Sequence, residues 1–166
     1  MKKLSVYLSL AIAIAGLAAC EKELEEVTQP TAKAEAAAVQ SPKELLATAP
    51  WRQTGLTTTS KDVSAQKDVT VNVFARLKPA LRDNTAQYFA DGRYVLDEGA
   101  SKANEAVEQQ KTGSYQLSDD GKTLTVTLDG AERVYQVEEL TATGLRLKVT
   151  DGEGDAAVSY TSSFGH

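Results

Sequence analysis

Asp120-Gly121-Lys122-Thr123-Leu124-Thr125-Val126-Thr127-Leu128-Asp129-Gly130 places an alternating run of β-formers between two Asp-Gly pairs. Asp-Gly between such runs is a strong hairpin signal, because both residues tolerate positive φ. Alternation with a period of two sends Leu124, Val126 and Leu128 to one face and the threonines to the other. The stretch therefore reads as a half-buried strand with antiparallel neighbours.

The same grammar extends in both directions. Leu145, Leu147 and Val149 alternate with Arg146 and Lys148, and Val69, Val71, Val73 and Ala75 repeat the pattern upstream. Tyr135 with Val137, and Val158 with Tyr160, suggest two more strands, and Asp91-Gly92 supplies another turn. Strands are expected near 51–60, 68–76, 86–90, 93–97, 112–117, 123–128, 133–140, 144–150 and 156–164. Short, evenly spaced strands joined by tight turns predict an all-β, antiparallel up-and-down meander, either a closed barrel or a strongly curled sheet.

Ser41, Pro42 and Glu44 form a capping box with proline at the first helical position, so a short N-terminal helix is expected over 41–48, stopped by Pro50. Residues 77–84, with Pro79 inside, and 98–110, almost entirely polar, read as loops. The second is long enough for a binding lid or a disordered excursion, with a helical turn around Ala103 to Val107.

The N-terminus has a different character. Lys2 and Lys3 precede an apolar run from Leu4 to Leu17, and small residues lead to Cys20, the only cysteine. This is the layout of a secretory signal, and the run is shorter than the roughly 20 residues of a membrane span. Residues 21–40 carry Glu21, Glu23, Glu25, Glu26 and Glu35 with few large apolar groups, so they read as a flexible acidic and alanine-rich tether. Fully stretched, such a segment reaches on the order of 65 Å. Removal of residues 1–19 reduces 18 basic side chains to 16 against 23 acidic ones, a formal charge of −7. Nucleic acid is not an expected partner, since phosphate binding needs clustered Lys and Arg.

Catalytic constellations are scarce. The only histidine is His166, the last residue, so a Ser/His/Asp or Cys/His site or a histidine-based metal site has no ring within the domain. What remains is paired carboxylates, for which Asp119 with Asp120, Glu138 with Glu139, and Asp151, Glu153 and Asp155 are the local candidates. Adjacent acids on a strand point to opposite faces and those at turns face solvent, so paired-carboxylate hydrolysis is not expected. Asp151-Gly152-Glu153-Gly154-Asp155 has too few oxygen ligands for a calcium loop and reads as a solvated turn. No enzyme activity, cofactor or metal is expected.

Two resemblances add to this reading. Leu17-Ala18-Ala19-Cys20 resembles the lipobox of bacterial lipoproteins, which implies cleavage before Cys20 and lipidation (palmitate among the acyl groups) of that cysteine. Each buried CH₂ of an acyl chain contributes about 0.8 kcal/mol to anchoring. The acidic run after Cys20 is similar to the export signal of surface lipoproteins in Bacteroidetes-type bacteria. The order Glu44-Leu45-Leu46, Trp51, Tyr88-Phe89-Ala90-Asp91-Gly92-Arg93-Tyr94, Gly113-Ser114-Tyr115 to Leu124, then Tyr135, Leu140, Leu145 and Leu147 resembles the lipocalin-like lipoprotein domains of those bacteria. That resemblance covers 41–164 and implies a lipocalin-like barrel of about eight strands with one end plugged.

The organisation expected is thus a signal peptide over 1–19, a lipidated Cys20 and tether over 20–40, and a barrel domain over 41–166, monomeric and held in the cell envelope, at the outer membrane, by its lipid. The aromatic residues Trp51, Phe89, Tyr94, Tyr115, Tyr135 and Tyr160 are the candidate ligand-binding set, because tyrosines with polar tips suit an amphipathic guest. Binding of a small apolar or amphipathic ligand is the function expected, with a structural or protein-interaction module at the envelope surface as the alternative.

Overall fold

Closure of the sheet is the feature from which the rest of the architecture follows. The computed structural model describes residues 40–102 and 104–166, and Cys20 with the signal and tether segments lies outside them. The described residues belong to one compact unit. Its strands are β1 (Trp51–Asp62), β2 (Lys67–Asn72), β3 (Thr85–Tyr88), β4 (Arg93–Asp97), β5 (Gln110–Leu117), β6 (Thr123–Leu128), β7 (Ala131–Leu140), β8 (Gly144–Asp151) and β9 (Val158–Gly165). β3 through β9 pair antiparallel in chain order, and β1 closes the ring by pairing with β3 on one side and β9 on the other. The result is an eight-stranded barrel with β2 as an additional strand on β1.

Two short helices, α1 (Pro42–Leu46) and α2 (Pro79–Arg82), attend opposite ends. The expected capping box is present: Ser41 Oγ accepts from Glu44 N–H at 3.3 Å, and Ser41 N–H donates to the Glu44 carboxylate at 2.7 Å. That backbone donor, with the Ser41 hydroxyl, holds the Glu44 carboxyl below its usual value. α1 is shorter than the 41–48 expected and caps at Ala47.

The turns fall where the Asp-Gly pairs stand. Asp129 and Gly130 take φ of 53° and 77° and connect β6 directly to β7, the two-residue geometry whose twist matches flanking strands. Residues directly opposed across a ladder share a face. Leu145, Leu147 and Val149 oppose Phe164, Ser162 and Tyr160, so the inward face of β9 continues that of β8. The core gathers Leu46, Trp51, Ala86, Tyr88, Tyr94, Tyr115, Leu124, Val126, Leu145 and Leu147.

One end of the barrel is plugged. Trp51 and Leu46 are fully buried there, and Trp51 Nε1 donates to the Leu46 carbonyl at 2.8 Å, pairing one of the helix-end acceptors that a helix leaves open. His166 stacks on Trp51 with ring centroids 4.0 Å apart, and its Nδ1 lies 3.0 Å from the Pro50 carbonyl oxygen. The chain's last strand is therefore stitched to the start of the first.

The opposite end flares, and here the expected pattern needs correction. The strand expected over 68–76 is Lys67–Asn72, and Phe74–Arg76 is a 3-10 turn. Asn72 Oδ1 accepts from Phe74 N–H at 3.0 Å, an Asx turn that ends the strand. Val69 and Val71, read as core by their alternation, are exposed, because β2 flanks the far half of β1, where no facing wall covers it. Likewise 77–84 contains α2, started by Pro79. The 98–110 loop ends a residue early, at Gln110; its Asn104–Val107 turn is closed by a 3.1 Å backbone bond, and Ala103 lies outside the described residues.

Two substitutions test this account. Trp51→Ala is expected to cost about 3–5 kcal/mol, the range for emptying a large aromatic site, read by urea unfolding followed by circular dichroism. A Cβ on Gly113 would fall 2.1 Å from the Thr127 carbonyl oxygen, whereas one on Gly130 meets nothing within 4 Å. Gly113→Ala should therefore lower the melting temperature more than Gly130→Ala, whose cost is backbone strain of about 1–2 kcal/mol.

Candidate functional site

Between the plugged floor and the flared end lies a cavity of about 350 Å³, near the lower bound for small-molecule pockets. Inward-facing positions of seven strands supply its lining: Gln53 and Leu56 from β1, Ala86 and Tyr88 from β3, Tyr94 and Leu96 from β4, Val126 from β6, Tyr135 from β7, Leu147 from β8, and Ser162 and Phe164 from β9. Leu77 and Leu81 come from the segment around α2 and cover one side of the mouth. Most of the lining is apolar, with a few polar atoms to set orientation.

Tyrosines dominate the polar part. The Tyr88 ring lies 5.2 Å from that of Tyr94 and 5.1 Å from that of Tyr115, the latter edge to face. Tyr115 donates its hydroxyl to the Phe89 carbonyl at 2.8 Å, so that phenol is already used. Among the described residues the hydroxyls of Tyr88, Tyr94 and Tyr135 have no protein hydrogen-bond partner. Burial pushes the Tyr88 phenol well above its ordinary value, and repulsion from Tyr94, Tyr135 and Tyr115 adds to it. Burial, then Tyr135, pushes Tyr94 up to about 12, and burial also raises Tyr135. All three are neutral phenols at physiological pH.

The other polar groups are tied down. Gln53 Nε2 donates to Ser162 Oγ at 3.2 Å. The Asn84 amide, turned so that its NH₂ faces two carbonyls, donates to Ala80 and Glu98 at 3.0 Å each, fastening α2 to the segment after β4. Ser101 N–H donates to Asp83 Oδ2 at 2.9 Å and strengthens the same seam.

Charge is confined to the rim. Arg133 and Asp151 face inward at the flared end and pair at 2.9 Å, and Lys111 pairs with Asp129 across the next turn. The hydrogen bond it donates to Asp129 holds the Lys111 ammonium above the usual lysine value. Both pairs are partly exposed and add little stability. Their effect is that these two cations already have their anions.

The sequence-based set separates into three places. Tyr94 and Tyr135 line the cavity, and Tyr160 lies in the rim hollow with Arg133 and Asp151. Trp51 and Tyr115 are packed into the floor, their polar tips bonded to backbone. Phe89 sits at the turn beyond the floor with the Arg93 guanidinium 3.6 Å over its ring. Tyr88 and Leu96 were legible by continuing the alternation from Ala86 and Tyr94. Gln53, Asn84 and Ser162 carry no pattern that marks them.

The acid groups also have definite positions. Asp151 pairs with Arg133 and Asp155 with Lys61 at 2.6 Å, while Asp120 accepts from Ser118 Oγ at 2.6 Å within its turn. Glu139 pairs with Arg146 at 2.6 Å and Glu138 with Lys148 at 4.0 Å, so both reach the outward side chains of β8. Opposite faces were expected; the register shift between Val137 and Glu139 inserts the extra residue that prevents it. Among the described residues no group of three or more His, Cys, Asp or Glu could hold a metal ion, and no helix is long and apolar enough to cross a membrane.

A titration checks the tyrosine environment. A phenol whose folded value is raised stabilises the fold fully below the unfolded value of about 10, and that contribution disappears as pH climbs toward about 12. Alkaline unfolding should thus begin above about pH 10, with tyrosinate absorbance and loss of circular dichroism rising together. Tyr94→Phe should lessen the slope; ionisation of the buried phenols well before unfolding would contradict the assignment.

No protein-family model and no curated protein matches the chain. Among solved structures, the chain is similar to a lipocalin-like protein from Bacteroides uniformis, with 14% sequence identity and a TM-score of 0.41 over 73% of this chain and 97% of that one.

Proposed function

We propose that this protein is a lipid-anchored lipoprotein of the bacterial cell envelope whose barrel binds a small apolar or amphipathic molecule and has no catalytic role. The observation that carries the reading is the cavity itself: about 350 Å³ inside a closed barrel, lined by leucines, a phenylalanine and phenols whose hydroxyls have no protein partner among the described residues. Native cores of this size normally fill such space, since packing density inside proteins matches that of organic crystals. Hydroxyls that face the cavity without a protein partner are free to donate to a guest with an acceptor. The anchor rests on the Leu17-Ala18-Ala19-Cys20 motif, and the acidic segment behind it gives the barrel reach from the membrane surface. A monomer suffices for this role, because the cavity is built from one chain.

A structural or protein-interaction role has one observation in its favour. β2 is exposed along its whole length and presents Val69 and Val71 at the flared end. A β-strand so placed is a ready template for another strand.

Native mass spectrometry of the full chain purified from its own host decides between them. A small molecule lost on denaturation is expected, and Val126→Trp, which fills the cavity, should abolish its retention while circular dichroism stays unchanged. A clean ligand-free mass from wild-type protein would favour the interaction role. Fractionation of Cys20→Ser cells should show release of the protein from the membrane fraction; unchanged fractionation would remove the lipid anchor from the reading.

A further inference from the structure

The cavity wall contains no Asp, Glu, Lys, Arg or His. Its polar atoms are neutral, and those of Gln53 and Asn84 are engaged with Ser162 and with the Ala80 and Glu98 carbonyls. The donors left over are all neutral hydroxyls, those of Thr85 and Ser162 and the phenols of Tyr88, Tyr94 and Tyr135, and the phenols stand close enough to repel one another on ionisation. The cations nearest the interior stand outside the cavity wall: Arg133 is held by Asp151 and Lys111 by Asp129 at the rim, and Arg82 of α2 lies beside Asp83 in an adjoining hollow. An ion entering the barrel would thus shed its water without meeting an opposite charge, which is unfavourable for a carboxylate and an ammonium alike. A neutral guest loses only the hydration of its polar end, and the tyrosine hydroxyls can replace it.

Resting on the ligand-binding reading above, we propose that the cavity selects an uncharged amphipathic molecule, such as a long-chain alcohol, ketone or ester. Its oxygen accepts from up to two of the hydroxyls of Tyr88, Tyr94 and Tyr135, and its apolar body lies against Leu56, Leu77, Leu81 and Leu96. The polar end therefore enters first. The apolar body occupies the side toward the mouth, where Leu77 and Leu81 cover it.

Three probes with the same carbon chain separate the possibilities: 1-decanol, decanoate and decylammonium, titrated calorimetrically into the full chain carrying Cys20→Ser at about pH 8, where both ions are charged. The alcohol should bind at least tenfold more tightly than either ion. Decanoate should gain affinity as pH falls toward its own pKa, because the neutral acid is the form that fits. The double variant Tyr94→Phe, Tyr135→Phe keeps the ring volumes and should weaken the alcohol about tenfold. Equal or tighter binding of either ion overturns the uncharged class while leaving ligand binding intact. Preference for the alcohol that the double variant does not reduce overturns the tyrosine contacts. Binding of none of the probes, or binding that survives Val126→Trp, overturns both this inference and the reading on which it rests.

Discussion

β1 bonds on both edges, and everything else in the barrel depends on that. One edge runs along β9 from Arg52–Gly165 to Ser60–Val158, while the other is shared between β3 at its start and β2 at its far half. A single strand thus closes the ring and opens it: where its partner is β3 the wall is continuous, and where its partner is β2 the wall splays. Without the β1–β9 ladder the sheet would have two free edges, a liability that closure removes. The stitch at the end of this ladder, His166 against Trp51 and Trp51 against Leu46, ties the closing strands to the helix that plugs the floor.

The cavity is a consequence of this geometry. An eight-stranded barrel is just wide enough for side chains to fill or for one small ligand to fit. Here the choice differs along the axis. At the plugged end the inward positions carry Trp51, Leu124 and Leu145, which with Leu46 fill the section. Halfway up, Val126 and Ala86 are too small to meet across it, and the tyrosines reach partway with polar tips. Space remains because these volumes do not add up to the section, and the phenols at its edge stay neutral because burial disfavours their charge.

Charge placement follows a related economy. Ion pairs occupy the rim and the outer wall, where water lowers both the gain and the cost. The bulge after Val137 shows how local register decides such placement: it turns two adjacent glutamates toward Arg146 and Lys148 on one side of β8. In the Asp151 to Asp155 stretch the two aspartates pair with Arg133 and Lys61.

Most of the wall was legible in the chain because the rules that set it are local. Period-two alternation placed Leu124, Val126, Leu145 and Leu147 in the interior, Asp129-Gly130 specified a two-residue turn, and Ser41, Pro42 and Glu44 specified the helix start. Those signals act over a few residues, so no tertiary knowledge was needed to read them. The same alternation misjudged Val69 and Val71, because a period reports which residues share a face and not whether a second wall stands opposite. Closure through Gly165, the bulge at Glu138 and the division of the tyrosines between floor and cavity required residues up to 116 apart to meet. Such meetings depend on the path of the whole sheet and on which volumes oppose one another across the barrel, and these only the tertiary structure decided.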